Sequence, residues 1–515
     1  MNKHLRRIIY IVLGIGVILI VGSVSINIVL KNKLESFIKE RLPENMVRSY
    51  EDISVDFFDG SLAITNPSLI IKNTENKIEH TFINVAKLNI SHISYWDYLF
   101  HDKICIETIS LNSPTIAYYK DRIIPKKDTV QKGLIEIYKA ILIKNIELHN
   151  GKFVMYEKDK DSTMLFTDGL SVDLQGIRID QKTVAQKIPL HYKSYSAKSD
   201  TVFVKTGPYE NLTVESFSIT DRKAVFNTIE LKTKYSKREL SKVINKERDH
   251  YNLSLKTLSI DSIDFGFDRH RFFAKSKMVQ LAAPSLEIYR DKLVRDDLSI
   301  KPLYSKSLRQ LPFSLTVDSL KIKEGRIKYE ERVKAENMGG SIDFKNLDAN
   351  ISNVSNTYKS PKKTHLDISA SFMENTPISV NWSFDVQSPE DQFLFKAKVG
   401  RLDAKELNSF TRPNLKVELE GSTHKTYFTI DGNNEKSNTD LKINYSNFKV
   451  TLLQKDGRKK NKFLSAVANI FIPKNSEKKG RRYKDGHAEA TRDKTKSIFN
   501  FLWISVKAAL TNAMI

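Results

Sequence analysis

With 515 residues, 40% of them hydrophobic and 28% charged, the chain is long enough for about three packed domains and too apolar to be a disordered tail. Its 83 Lys and Arg against 61 Asp and Glu leave a net charge of +22, a balance suited to anionic lipid head groups or nucleic acid. Nineteen Gly and 14 Pro exclude collagen-like or low-complexity architecture, and the single cysteine, Cys105, excludes an internal disulfide. Cys105 sits in the strand-like run Lys103–Glu107 and reads as a small core residue, with a reactive thiol as the alternative.

In chain order, the first element is a charge-free run of 23 residues, Ile8 to Leu30, behind a short N-terminus of residues 1–7. As a helix rising 1.5 Å per residue it would measure about 34 Å, enough to cross a hydrocarbon core of about 30 Å. Lys3, Arg6 and Arg7 precede it, which by the positive-inside tendency puts the N-terminus in the cytoplasm and the body on the far side. A cleaved signal peptide is the competing reading. The length of the run, and the lack of a small-residue cleavage motif after it, favour a retained single-pass anchor over 8–30. Leu34, Phe37, Ile38 and Leu42 then recur at helical spacing, predicting an amphipathic stalk within 31–49 that stops at Pro43.

Beyond Tyr50 the dominant period is two. Ile53, Val55 and Phe57, then Asp59-Gly60, then Leu62 and Ile64 read as a hairpin closed at Asp-Gly. Alternating runs continue to about residue 453, and helical spacing is rare. One short helix is predicted over Leu402–Phe410, with Asp403 and Glu406 at capping-box spacing.

Two stretches repeat each other. Leu111-Asn-Ser-Pro114-Thr-Ile116-Ala-Tyr118-Tyr119-Lys-Asp121 matches Leu281-Ala-Ala-Pro284-Ser-Leu286-Glu-Ile288-Tyr289-Arg-Asp291 at an offset of 170. A second block, Ile141, Ile143, Ile146, Leu148, Gly151 and Phe153, matches Leu315, Val317, Leu320, Ile322, Gly325 and Ile327 at an offset of 174. Each copy predicts a strand, a break in parity at a bulge, a second strand, a glycine turn and a third strand. Repeat units of 51–183 and 212–355 follow, each with one apolar face that must stack on a neighbour. A third β unit is expected over 365–453, and 454–515 forms a basic segment and a terminal helix.

That layout resembles the AsmA-like superfamily of bacterial envelope proteins, in particular its shorter Bacteroidota members. The resemblance is carried by the N-terminal anchor, the two Pro–Tyr–basic–Asp blocks, the strands around Gly151 and Gly325, and the ending Arg492 to Trp503. It implies an inner-membrane anchor and a mainly β, elongated, twisted groove in the periplasm, with few short helices. It further implies lipid handling, intermembrane phospholipid transport or outer-membrane homeostasis. Residues Ile116, Tyr118, Phe153, Phe265, Phe267, Leu286, Ile288 and Ile327 are the candidates for the groove interior. The alternative is that they fill a closed sandwich core in a structural or scaffolding envelope protein that binds other envelope proteins.

From Lys455 to Lys496 there are 14 Lys and Arg against 5 Asp and Glu, a net +9 in 42 residues. Lys478, Lys479, Arg481, Arg482 and Lys484 cluster within it. The following stretch places Phe499, Leu502, Trp503, Val506 and Leu510 on one helical face. Together they read as a membrane-surface contact with anionic phospholipid. A helix that caps the β-stack is the equal alternative. An extracytoplasmic address argues against nucleic acid as partner.

The chain carries no G-x-S-x-G elbow, P-loop, G-x-G-x-x-G or H-E-x-x-H, and its eleven histidines lack zinc spacing. Asp485, His487 and Glu489 alternate and would share a strand face able to hold a cation, but a solvated polar loop is the preferred reading. The sequence is therefore read as a non-enzyme, without cofactor, metal or small-molecule substrate.

Overall fold

The computed structural model describes residues 25–36, 45–123, 139–160, 162–184, 186, 188–268, 271–454, 473–477 and 480–514. The chain divides into two compact units, one running to Lys205 and including Val214–Asp221, the other comprising Thr206–Thr213 and Arg222 onward. Both are built almost wholly of β-strand.

The first unit contains helix α1 (25–36) and strands β1 (Met46–Ser49), β2 (Asp52–Asp56), β3 (Ser61–Thr65), β4 (Ser68–Lys72), β5 (Glu79–Asn84) and β6 (Lys87–Ile93). Helix α2 (Tyr95–Phe100) precedes β7 (Lys103–Asn112), β8 (Thr115–Tyr119), β9 (Ala140–Tyr156) and β10 (Thr163–Ile179). The short α3 (Gln181–Val184), β11 (Ser194–Ser199), β12 (Thr201–Lys205) and the part of β13 (Glu210–Thr220) from Val214 onward follow. The Ile8–Leu30 run lies outside the described residues as far as 24, and its last six residues open α1. No helix among the described residues is long and apolar enough to cross a membrane. Of the predicted stalk, α1 includes Leu34, while Phe37, Ile38 and Leu42 lie outside the described residues.

The β2–β3 hairpin forms as predicted, but Phe57 belongs to its turn and not to its strand. The cause is local. The Asp56 carboxylate accepts the N–H groups of Phe58 and Asp59 and bends the chain before the strand can extend.

Strands β7 and β8 are two halves of one long strand, and both run parallel to β9, which pairs antiparallel with β10. The second unit repeats this. It contains β14 (Lys223–Thr233), α4 (Lys237–Val243), β15 (Asp249–Asp261), β16 (Asp264–Asp268), β17 (Arg271–Ala282), β18 (Ser285–Asp291), α5 (Tyr304–Arg309), β19 (Ser314–Arg332) and β20 (Gly340–Ser355). Here β17 and β18 run parallel to β19, which pairs antiparallel with β20. Because neighbouring parallel strands need a crossover, the segment between β18 and β19, which carries α5, leaves the sheet and returns to it.

The correspondence reaches individual backbone bonds. Ser113 donates to His149 and Lys152 to Pro114, and 170 or 174 residues later Ala283 donates to Lys323 and Arg326 to Pro284. Ser113 and Ala283 both adopt left-handed backbone, at φ 46° and 49°, as do Asn150 and Glu324 at 52° and 55°. These residues make a crease where each long strand breaks and re-aims its side chains. A second break lies where Ile143 and Ile146, or Val317 and Leu320, keep to one face despite a spacing of three. The ladder skips Glu107 opposite Lys144 and Lys277 opposite Asp318.

The second unit continues with β21 (Thr364–Phe372), β22 (Thr376–Phe384), β23 (Phe393–Val399), the two-residue β24 (Leu402–Asp403), α6 (Asn408–Leu415), β25 (Val417–Gly432), β26 (Lys436–Leu452), β27 (Lys484–Thr491) and α7 (Ile498–Met514). Strands β20 to β23, and then β25 to β27, form an antiparallel meander. The helix predicted at Leu402 starts later than expected. Asp403 caps Lys405 at the start of a 3-10 turn, Glu406 instead accepts from the Glu374 N–H, and the α-helix proper begins at Asn408.

Candidate functional site

The antiparallel and parallel registers of the second unit align apolar residues into continuous rows on one face. One row runs Leu258, Leu281, Ile322, Ala349, Ile368, Val380, each residue directly opposite the next. The row beside it runs Ile260, Val279, Leu320, Ile351, Leu366, Trp382. Alternate residues on the other face are polar, as the strand period requires: Asp367 and Ser369 on β21, Ser379 and Asn381 on β22, Lys396 and Lys398 on β23. A recess of about 540 Å³ is lined by these residues with Asp348, Asn350, Tyr427 and Thr429, and also by Ile368, Val380, Ala397 and Phe428.

Beyond the crease the apolar face continues as Leu253, Leu286, Ile327, Phe344 and Phe372, then as Tyr251, Ile288, Tyr329 and Ile342. It ends in a charged row, Asp249, Arg290 and Glu331. Arg290 grips Asp249 through both Nε (2.6 Å) and Nη2 (2.7 Å), the Tyr251 hydroxyl donates to Asp249 at 3.2 Å, and the Tyr329 hydroxyl donates to Glu331 at 2.7 Å. Burial, reinforced by the neighbouring carboxylates, pushes the Tyr251 phenol up to about 12 and the Tyr329 phenol further still. The result is an apolar strip with a closed belt of charge along one border.

The predicted interior residues fall on this pattern in both units. Ile116 lies opposite Phe153 and Tyr118 opposite Met155, just as Leu286 lies opposite Ile327 and Ile288 opposite Tyr329. All six predicted residues on these strands are half-buried. Phe265 and Phe267 lie on β16, 41% and 45% exposed, with Phe267 edge-on to Phe272 at 5.5 Å. The belt residues Asp249, Arg290 and Glu331 escaped sequence reading, because charged residues within a strand look like its solvated face. In the first unit the β8–β9 wall is apolar on its second face as well, where Phe82, Ala117, Val154 and Phe166 align.

The strip is covered at its C-terminal end. Helix α7 packs Ile498, Phe501 and Leu502 against Trp382, Phe393 and Ile430, joined by Leu303 from the start of α5, and the remaining void measures only about 10 Å³. Further along, Ala509 and Ala513 meet Leu441, Ile443 and Tyr445. The helix therefore caps the sheet, and the face assigned to it from hydrophobicity is rotated. Leu502 is buried and Val506 half-buried in the core, whereas Phe499 and Trp503 are 62% and 50% exposed. The physical reason is close approach. A Cβ on Gly486 of β27 would sit 2.2 Å from the Ala509 carbonyl, so only Ser505, Ala509 and Ala513 fit that side.

In the basic segment, Arg481 and Arg482 are exposed and Lys484 is half-buried at the start of β27, while Lys478 and Lys479 lie outside the described residues. Asp485, His487 and Glu489 stand on a strand and not in a loop, and each meets a β26 partner: Lys442 at 3.8 Å, Asp440, and Lys436 at 3.0 Å. They form a cross-strand ladder of polar and charged contacts. Among the described residues no group of three or more His, Cys, Asp or Glu side chains is arranged to hold a metal ion. Cys105 is half-buried, and burial raises its thiol above the ordinary value, with Asp97 adding to the shift. No family model and no curated protein matches the chain.

Proposed function

We propose that the chain is a membrane-anchored envelope protein of AsmA-like type that handles phospholipid, or a lipid of similar build, along the apolar face of its sheet. The carrying observation is the set of in-register apolar rows from Leu258 to Ile368 and from Leu253 to Phe372, half-buried apart from Ala349 and bordered at one end by a belt of charge. An acyl chain gains by covering such a strip at about 25 cal/mol per Å² of apolar surface removed from water, while its head group stays with charged and aqueous partners. The 23-residue run from Ile8 would hold the protein in the inner membrane, N-terminus in the cytoplasm and body in the periplasm.

The test is photocrosslinking in the full-length protein in cells. A benzophenone amino acid at Ile288 or Ile327 should yield lipid adducts detectable by mass spectrometry, and one at Lys396 on the polar face should not. Adducts absent from both apolar positions would remove the lipid-handling reading. The tight packing under α7 favours a second reading, a scaffold whose apolar face is closed by protein, which predicts protein adducts at Ile288 in place of lipid.

A further inference from the structure

In the first unit, α2 has the sequence Tyr-Trp-Asp-Tyr-Leu-Phe, and none of its residues is buried. Trp96, Leu99 and Phe100 are 65%, 68% and 63% exposed, and Phe58 in the β2–β3 turn is 69% exposed. Turn and helix form one surface. The Phe57 and Tyr95 rings stack at 4.9 Å, Ile93 donates to the Gly60 carbonyl at 2.9 Å, and Trp96 and Phe100 lie 4.3 Å apart. Lys103 and Lys139 stand beside it, the first paired with Asp97 at 3.2 Å and the second 4.1 Å over the Tyr98 ring. Aromatic side chains rimmed by lysine are what the boundary between hydrocarbon and head groups selects.

The position of α1 says what covers this surface. The Phe57 N–H donates to the Asn27 side chain at 2.9 Å, and Lys31 pairs with Asp52 at 2.8 Å, so α1 lies along β2 with its Asn27 end at the aromatic turn. Asn27 belongs to the charge-free run that begins at Ile8, and lies three residues, about 4.5 Å of helix rise, before the last uncharged position, Leu30. Ile26, Ile28 and Val29 are themselves exposed. Phe58 and α2 thus sit level with the final apolar turn of that run, at the depth of roughly 5–10 Å where interfacial aromatic segments rest.

We propose that the Phe57–Gly60 turn and α2 form an aromatic foot that inserts into the interfacial layer of the bilayer holding the N-terminal run. The inference rests on the anchored reading of that run and not on lipid handling. With the foot seated, the start of the first unit is held at two points, and its strands rise from the bilayer in a fixed orientation.

The experiment uses the full chain with Cys105→Ser, reconstituted in vesicles of phosphatidylethanolamine and phosphatidylglycerol, and a nitroxide attached at Leu99→Cys, Phe58→Cys or Asn76→Cys. Asn76 is exposed in the β4–β5 turn, beyond the end of β4, whereas the Phe57–Gly60 turn of the foot lies before the start of β3. At positions 99 and 58, accessibility to oxygen should exceed accessibility to a water-soluble nickel chelate several-fold, with the order reversed at 76. The same chelate-dominated result at all three positions, in protein that floats with the vesicles, would overturn the foot while sparing the anchor. Protein that fails to float would overturn the anchor and the foot with it. Spin–spin broadening at position 99 that grows with the protein-to-lipid ratio would assign the surface to a second copy and also overturn the proposal.

Discussion

The backbone N–H of Lys152 donates to the carbonyl of Pro114 at 2.8 Å, and the same bond recurs between Arg326 and Pro284 at 2.7 Å. Each closes a crease in which the residue before proline is left-handed, Ser113 in one copy and Ala283 in the other. A left-handed L-residue carries a steric cost that glycine avoids and a β-branched residue increases. Ala283→Gly should therefore be neutral or stabilise by up to about 1 kcal/mol, while Ala283→Val should destabilise by about 1–2 kcal/mol. Urea unfolding midpoints of the two variants check this, and equal midpoints would mean that the crease carries no strain.

The cap formed by α7 separates two aromatic residues two positions apart. Phe501 is 1% exposed and Trp503 is 50% exposed. Phe501→Ala should cost about 3–5 kcal/mol through the cavity it leaves, and Trp503→Ala less than about 1 kcal/mol. Gly486→Ala should release α7, because the added methyl meets the Ala509 carbonyl, and limited proteolysis should then remove the helix first. If the Gly486→Ala helix stays protected, the close packing of α7 on β27 is wrong.

These two regions also show what the sequence could and could not disclose. The second breaks are legible in the sequence because a strand that keeps Ile143 and Ile146 on one face must break parity, and Val317 and Leu320 repeat that break. The turns expected at Gly151 and Gly325 are instead creases within the continuous strands β9 and β19. The orientation of α7 is not legible, because the sequence groups the large apolar residues on one face, for a membrane surface or for a cap, whereas the side that meets Gly486 carries small ones. Strand β27 escaped for a related reason: Gly486, Ala488 and Ala490 form its inward face, and small residues give no apolar alternation. The aromatic run at Tyr95–Phe100 was visible as letters, but its lack of burial belongs to the folded chain alone.

Asp249 and Arg290 form the fork-on-fork pair of the belt, with side chains only 16% and 21% exposed. Removing one partner leaves the other charge poorly solvated, so Asp249→Ala should destabilise by about 3–5 kcal/mol. The double variant Asp249→Leu/Arg290→Met should recover most of that loss, since it replaces both groups with apolar volume. Thermal melting of the single and double variants decides the matter. A double variant no better than the single would mean that Arg290 makes a contribution independent of Asp249.

Two phenols of the belt set an alkaline limit on stability. Tyr251 titrates at about 12 in the folded chain and Tyr329 higher, both chiefly because burial disfavours the phenolate. An unfolded tyrosine ionises near about 10. Each phenol is therefore neutral in both states below that value, and its contribution to stability is complete there. As pH rises above it, the unfolded chain sheds protons that the folded chain retains, so stability falls until the folded phenols also ionise. The unfolding midpoint should drop between about pH 10 and 12, and Tyr251→Phe combined with Tyr329→Phe should flatten that drop. Lysine side chains titrate in the same window, so the readout is the difference in slope between the parent and the double variant. Parallel slopes would show that neither phenol is as buried as its place at the end of the apolar strip requires.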